Sequence, residues 1–190
     1  MNKRSFKKFQ LLATLTVMLF VGSVLLWMHY HGGVPIHHIL QRKNLPAISN
    51  WWGGILLPLF CWYSCYKIEQ RINKHFFDKQ NLNRAIKNSL LGFVGALIFG
   101  TTLAVSFNYG YSNFLNYQVD SLLLLFFLVP IFRSEYLLGF ILGMTITFGA
   151  ILPTAFALVV AIPSVIIYVF IRPYLLKLIY LIFKRDLKKL

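Results

Sequence analysis

Residues 121–171 read SLLLLFFLVPIFRSEYLLGFILGMTITFGAILPTAFALVVAIPSVIIYVFI, and Arg133 and Glu135 are the only charged side chains among them. A single straight helix over these 51 residues would be ~75 Å long, whereas the hydrocarbon core of a bilayer is ~30 Å thick. The chain must therefore turn inside this stretch. Charge and proline are the available turn signals, and they predict turns at 133–135 and at 152–154.

The two turns divide the stretch into three predicted membrane spans. The second and third cover residues 136–152 and 154–171. The first would hold only 12 residues, one of which is Pro130. It therefore either begins earlier, near Tyr117, or forms a re-entrant half-helix, and we favour a span over 117–132.

Three further apolar segments precede this stretch. Residues 9–28 are long enough to cross a bilayer and are longer than the core of a signal peptide, so they predict a retained first span. Residues 51–66 predict a short second span with Trp51 and Trp52 at its outer interface. Residues 89–111 predict the third span. Together the six spans make residues 1–190 a single integral membrane domain.

The hydrophilic parts of the chain are a block and a tail. In the block, 67–88, Ile68 and Ile72 belong to an apolar set that would let it lie against the membrane as an amphipathic piece. The tail, 173–190, carries lysines at helical spacing, which predicts a basic helix on an anionic leaflet. The alternative is that the tail extends the last span.

Positive charge lies almost entirely on one side of this topology. All but two of the 19 Lys and Arg residues fall on the side of the N-terminal head, the hydrophilic block and the tail, and the exceptions are Arg42 and Lys43. Cytoplasmic loops of membrane proteins carry such an excess. The pattern predicts that both termini are inside, in a bacterial cytoplasmic membrane.

Composition supports the same class. Hydrophobic residues make up 58% of the chain and charged residues 13%, against about 25% charged in a soluble domain. The net charge of +14 would suggest nucleic acid in a soluble protein. Here its one-sided placement points to the lipid bilayer as partner and to no nucleic acid. We predict an all-α, polytopic transmembrane helical bundle of about six spans.

Small residues recur at four-residue steps in two of the spans. Such residues let helix backbones approach closely in lipid, where no hydrophobic force drives helices together. We expect these two faces to pack closely against helices within the monomer. One candidate arrangement is that the two faces pack against each other. The third span has Gly92, Ala96, Gly100 and Ala104, and the fifth has Gly139, Gly143 and Thr147.

The long outer connection holds four of the five histidines. His29 and His31 alternate, so an extended backbone would put both rings on one side. A turn could bring the adjacent His37 and His38 toward them, because Gly32-Gly33 permits a sharp reversal. Imidazoles in this number suit a transition metal such as zinc, copper, iron or nickel. The alternative is that these rings are ordinary anchors at the membrane interface.

Other polar side chains are predicted on the same outer side. Asp120 is the only acidic residue there, at the mouth of the fourth span, and it could serve as a ligand or a general base. Asn50, Tyr109 and Tyr117 would complete a polar, aromatic-lined vestibule for a small ligand.

Two charged or reactive pairs lie elsewhere. Arg133 and Glu135 are either solvated at the inner surface or, if their turn stays within the bilayer, costly and functional. Cys61 and Cys65 share one helix face, a spacing poorly suited to a disulfide, and we interpret them as small buried residues.

The sequence does not indicate a reaction. It lacks the motifs of nucleotide-phosphate, dinucleotide, zinc-protease and serine-hydrolase sites. We expect a non-catalytic membrane component whose outward His/Asp/aromatic site binds a small ligand or metal. The alternatives are a small oligomeric transporter or channel, and a membrane enzyme acting on a lipid or quinone headgroup. A homo-oligomer and a membrane-protein partner both stay open.

Overall fold

The structure, a computed structural model, describes residues 3–38, 46–74 and 79–186. Apart from one short hairpin, the described chain is helical, so the all-α prediction is confirmed. The helices are α1 (Lys3–Tyr30), α2 (Gly53–Lys74), α3 (Lys79–Asn108), α4 (Ser112–Leu128), α5 (Ser134–Phe148), α6 (Ile151–Val165) and α7 (Arg172–Asp186), and a π-helical segment, Ile166–Ile171, joins α6 to α7.

Three helical stretches are long and apolar enough to cross a membrane. They cover residues 5–30, 80–108 and 151–181, and α5 is a shorter apolar helix. Large apolar side chains are exposed along the bundle, Leu19 and Val159 among them. A continuous apolar exterior of this kind is what lipid, rather than water, accommodates.

The chain turns between α4 and α5 at residues 129–133, slightly earlier than predicted. Val129 is extended (φ −128°, ψ 149°) because it precedes Pro130, whose ring disfavours a helical residue before it. α4 therefore ends at Leu128. Its start at Ser112 lies five residues before the predicted one. The choice between a full span and a re-entrant half-helix stays a prediction.

The turn between α5 and α6 differs from the prediction. It lies at Gly149 (φ 72°), and Pro153 is instead accommodated in the first turn of α6. A proline is tolerated there because the first amides of a helix have no partner within it. A Cβ on Gly149 would overlap the side chain of Asn50. Glycine is therefore required at this position both for its positive φ and for the lack of space.

The closest helix contact joins α3 to α5, as the small-residue pattern predicted. A Cβ on Gly139 would overlap the Phe93 carbonyl oxygen, and one on Gly143 would lie 2.5 Å from that of Leu97. Both contact points advance by four residues, so the two helices run parallel. The prediction that the two stripes meet helices closely is confirmed, and they meet each other.

The other helices flank this pair. α1 packs on α2, α2 packs on α5, and α4 and α6 lie on the other side of α5 and α3. The tail forms no separate element: α6, the π-helical segment and α7 are continuous, so the alternative in which the tail extends the last helix is the observed one. The hydrophilic block likewise extends α2 and begins α3.

Between α1 and α2 the chain forms a small hairpin. Gly32 and Gly33 both have positive φ and end α1, as the Gly-Gly pair predicted. Strand β1 (Ile36–His38) then pairs antiparallel with β2 (Ala47–Ser49), with Ile36 opposite Ser49. Arg42 and Lys43, the two predicted outer cations, lie outside the described residues.

Candidate functional site

A groove of about 680 Å³ runs between α1 and α3, which we call the α1/α3 groove. Its floor is made by buried side chains of α2 and α5, whereas its walls on α1 and α3 are partly exposed. The lining is apolar apart from two thiols and four polar side chains. Those four are Thr16, Ser64, Ser89 and Glu135.

The groove has a direction along the helices. Phe6, Ile72 and Ile86 line one end, where the helices carry their basic residues. Leu97 of α3 lines the other end. The eleven-residue separation of Ile86 and Leu97 corresponds to ~16 Å of helix, about half of a ~30 Å hydrocarbon core. The groove is therefore about as long as one lipid leaflet is deep.

An ion pair closes the basic end of the floor. The two terminal nitrogens of Arg71 on α2 each donate to one oxygen of Glu135 on α5, one at 2.6 Å. Glu135 is 1% exposed and Arg71 30%. A bidentate guanidinium–carboxylate pair fixes two helices in both distance and angle. The carboxylate also lies in the first turn of α5, where the helix dipole favours negative charge.

This pair was missed by the sequence interpretation, which treated Glu135 together with its neighbour Arg133. Arg133 is exposed, which is compatible with the solvated alternative for that residue. It is wrong for Glu135, because a cation 64 positions away in the chain reaches it. The polar block at 67–88 carried no signal for which of its cations would face inward.

Small polar groups on α2 tie the same region together. Ser64 Oγ donates to the Phe60 carbonyl at 2.8 Å and lies 3.4 Å from the Ser134 carbonyl. Cys61 and Cys65 are buried free thiols in the groove floor, so their interpretation as small buried residues is confirmed.

A second cavity, of about 410 Å³, lies on the opposite side of the α3–α5 pair. It is lined by side chains of α3, α4, α5 and α6 together with residues of the turn before α5. Tyr136 supplies its only polar lining atom apart from backbone. This cavity offers neither charge nor a ligand set for chemistry.

At the other end of the bundle, His29 and His31 have local partners. The ring of His31 stacks on Trp27 at 3.7 Å, and its Nδ1 lies 3.0 Å from the Trp27 carbonyl oxygen. The ring of His29 contacts Trp51 edge-on, at 6.0 Å between centroids. These contacts resemble an aromatic interface belt, in which amphipathic rings stack on one another.

The structure does not assemble a metal site from described side chains. Within residues 3–38, 46–74 and 79–186 there is no group of three or more His, Cys, Asp and Glu placed to hold an ion. The backbones of His37 and His38 lie in β1, but their side chains are outside the description. The four-histidine metal site therefore stays a prediction.

Asn50 has a different environment from the predicted vestibule. It is 0% exposed. Its Oδ1 accepts from the Ile151 amide at 3.2 Å, and its Nδ2 is 3.5 Å from the Phe148 carbonyl. Its backbone amide donates to the Pro35 carbonyl. Asn50 thus joins the hairpin to the α5–α6 turn, and its ligand-binding role remains untested.

The other predicted vestibule residues are exposed. Tyr109 and Tyr117 are each 72% exposed, and Tyr109 stacks on Tyr111 at 6.1 Å. Asp120 is exposed too, but it lies in the middle of α4 rather than at the mouth of that helix. The structure does not bring Asp120 to the histidines through any described contact.

No protein-family model, curated protein or solved structure matches this chain. The strongest feature for function is therefore geometric. It is a laterally open, apolar groove of leaflet length, with a buried ion pair at its basic end.

Proposed function

We propose that this chain is a non-catalytic, six-span protein of the bacterial cytoplasmic membrane that binds a membrane lipid by its acyl chain in the α1/α3 groove. The observation that carries the proposal is the groove itself, which is open to the side and runs for about one leaflet. Both termini are cytoplasmic in this proposal.

Two contacts between distant segments support the topology. Asn50 joins the start of α2 to the α5–α6 turn, so these segments share one end of the bundle. Arg71 and Glu135 join the end of α2 to the start of α5, so these share the other end. The helices therefore alternate in direction, and the basic residues lie at the second end. The positive-inside rule favours this arrangement.

The physical reason for a lipid is that a side-opening void in a bilayer is filled by whatever surrounds it. Side chains lining an empty gap lose dispersion contacts, and an acyl chain restores them. A groove of about 680 Å³ has the size of ordinary ligand sites, which are also mostly apolar. Glu135 and Arg71 are placed where the glycerol and headgroup of such a lipid would begin.

The geometry gives less support to the alternatives. A transporter needs a polar route, yet the cavity between α3, α4, α5 and α6 is apolar in the described residues that line it. A headgroup enzyme built on the histidines needs them to converge, and His29 and His31 are instead engaged with tryptophans.

The groove is tested by filling it. Ala13 lines the α1 wall, so Ala13→Trp should exclude an acyl chain, and the fraction of lipid-bound protein in native mass spectrometry should fall about tenfold, equivalent to ~1.4 kcal/mol of lost contacts. Ala155→Trp is the matched control, because Ala155 is exposed on α6 outside both cavities. Equal lipid binding by both variants would overturn the proposal.

The topology is tested by reporters. Fusions ending at Pro46 and at Lys79 should report opposite compartments, the first outside and the second inside. Alkaline phosphatase should therefore be active at Pro46 and inactive at Lys79, with the opposite pattern for a fluorescent protein that folds only in the cytoplasm. The same compartment for both sites would contradict the six-span arrangement.

A further inference from the structure

Helix α4 presents polar side chains away from the bundle. Gln118 and Leu122 face inward, since Gln118 is buried and Leu122 lines the cavity against α3. The opposite face of α4 is exposed and carries carboxylate, amide and phenol groups at helical spacing. These residues are Asn113, Asn116, Tyr117 and Asp120.

The depth of Asp120 makes this face unusual. Gln118 Nε2 donates to Thr102 Oγ1 at 2.8 Å, and Thr102 lies six residues, or ~9 Å, before the end of α3. Asp120 is a further half-turn along α4. If α3 crosses the bilayer as proposed above and its last residue lies at the outer boundary, this carboxylate lies ~12 Å below that boundary, within the ~30 Å hydrocarbon core.

A carboxylate facing hydrocarbon is costly, and such residues normally pair or line a polar site. The described residues give Asp120 no hydrogen bond and no ion pair. We therefore expect an outward-facing acid at this depth to pair with a group from outside the monomer.

The geometry points to a second copy of this chain, packed through α4 about a two-fold axis along the membrane normal. In such a pair each α4 meets the same face of the other, so the face must be self-complementary. The exposed face of α4 is self-complementary, because the Asp120 carboxylate accepts hydrogen bonds and the Asn116 amide and the Tyr117 phenol, one turn away, donate them. Interhelical hydrogen bonds of this kind hold membrane helices together.

The second copy explains the face better than lipid does. Lipid chains supply no donor to Asp120, whereas each copy supplies the other with donors one helical turn from its Asp120. The interaction goes beyond lipid binding and lies on the opposite side of the α3–α5 pair from the α1/α3 groove. The Ala13→Trp change should therefore leave the dimer intact.

The test is the oligomeric state of the purified full chain in nanodiscs and in mild detergent, measured by native mass spectrometry and light scattering. We expect a dimer for the unmodified protein and a monomer for Asp120→Leu. Asp120→Asn should remain dimeric, because an amide both donates and accepts. Val119→Leu, a change at an exposed neighbour on a different face, is the control and should also remain dimeric.

A second measurement keeps the inference falsifiable if Asp120→Leu folds poorly. Asn113→Cys should cross-link to its counterpart under mild oxidation, because Asn113 is exposed on the same face of α4 and the two native thiols are buried. Phe170→Cys, exposed on the continuous helix after α6, should cross-link at least tenfold less. A monomeric unmodified protein, a dimer that survives Asp120→Leu, or equal cross-linking at both cysteines would each overturn the inference.

Discussion

Gly100→Leu is expected to abolish most of the folded protein, whereas Gly95→Leu in the same helix is expected to leave yield and thermal stability nearly unchanged. Both positions are glycines within the apolar part of α3, so helix propensity and hydrophobicity change equally. The two differ only in what a side chain would meet.

At Gly100 the neighbour is backbone. A Cβ there would lie 2.5 Å from the Phe140 carbonyl oxygen, and that atom belongs to α5 and cannot rotate away. At Gly95 no heavy atom lies within 4 Å of the added Cβ. Overpacking a well-packed contact typically costs ~1–3 kcal/mol, and separating two helix backbones lies at or above the top of that range.

The measurement is the yield of monodisperse protein after extraction, followed by its thermal midpoint in one detergent. A shift of ~2–4 °C per kcal/mol is expected for a chain of this size. Gly139→Ala should lower the yield and the thermal midpoint as Gly100→Leu does, because the added Cβ alone would meet the Phe93 carbonyl. Equal behaviour of the Gly95 and Gly100 variants would show that the α3–α5 contact does not support the fold.

The α3–α5 contact was also the part of the fold that sequence reasoning could anticipate. Four-residue spacing of glycine and alanine is a local property of each helix, and in lipid such faces have few uses besides close packing. The Gly32-Gly33 reversal was predictable for a similar reason, since the positive φ is intrinsic to the residue type.

Turns were harder to place than helices. Pro153 was a reasonable turn signal, but proline is equally at home in a first helical turn, and Gly149 provided the actual reversal. What distinguishes the two is the contact of Gly149 with Asn50, 99 positions earlier in the chain. No local pattern contains that information.

The α1/α3 groove is a kind of feature that the sequence analysis did not predict. Histidines attract a metal interpretation because of their chemistry, yet a groove is defined by the absence of side chains between α1 and α3. Composition cannot show where two helices fail to meet. Composition likewise could not show that the Asn50 side chain hydrogen-bonds to the backbone of Phe148 and Ile151.

Arg71→Met is expected to destabilise the protein by ~3–5 kcal/mol, the usual cost of leaving a buried charge without its partner. Glu135 would then be a carboxylate in the groove floor, 1% exposed and facing apolar side chains. No other described cation is hydrogen-bonded to it. The thermal midpoint should fall by ~2–4 °C for each kcal/mol.

Removing the carboxylate instead of the guanidinium should destabilise the protein less. In Glu135→Met the remaining charge is Arg71, which is 30% exposed and can swing its guanidinium toward the interface. The double variant Arg71→Met/Glu135→Met should be more stable than Arg71→Met alone, because a buried ion pair replaced by apolar groups of similar volume is often neutral. The order of midpoints should therefore place Arg71→Met lowest.

Arg133→Met is the matched control, since Arg133 is an exposed arginine two residues from Glu135. Its effect should be within ~0.5 kcal/mol, as for surface changes in general. If Arg133→Met were as damaging as Arg71→Met, overall positive charge rather than the ion pair would be what this end of the bundle requires. If the double variant were no better than Arg71→Met, the cost would come from lost arginine packing and not from a stranded carboxylate.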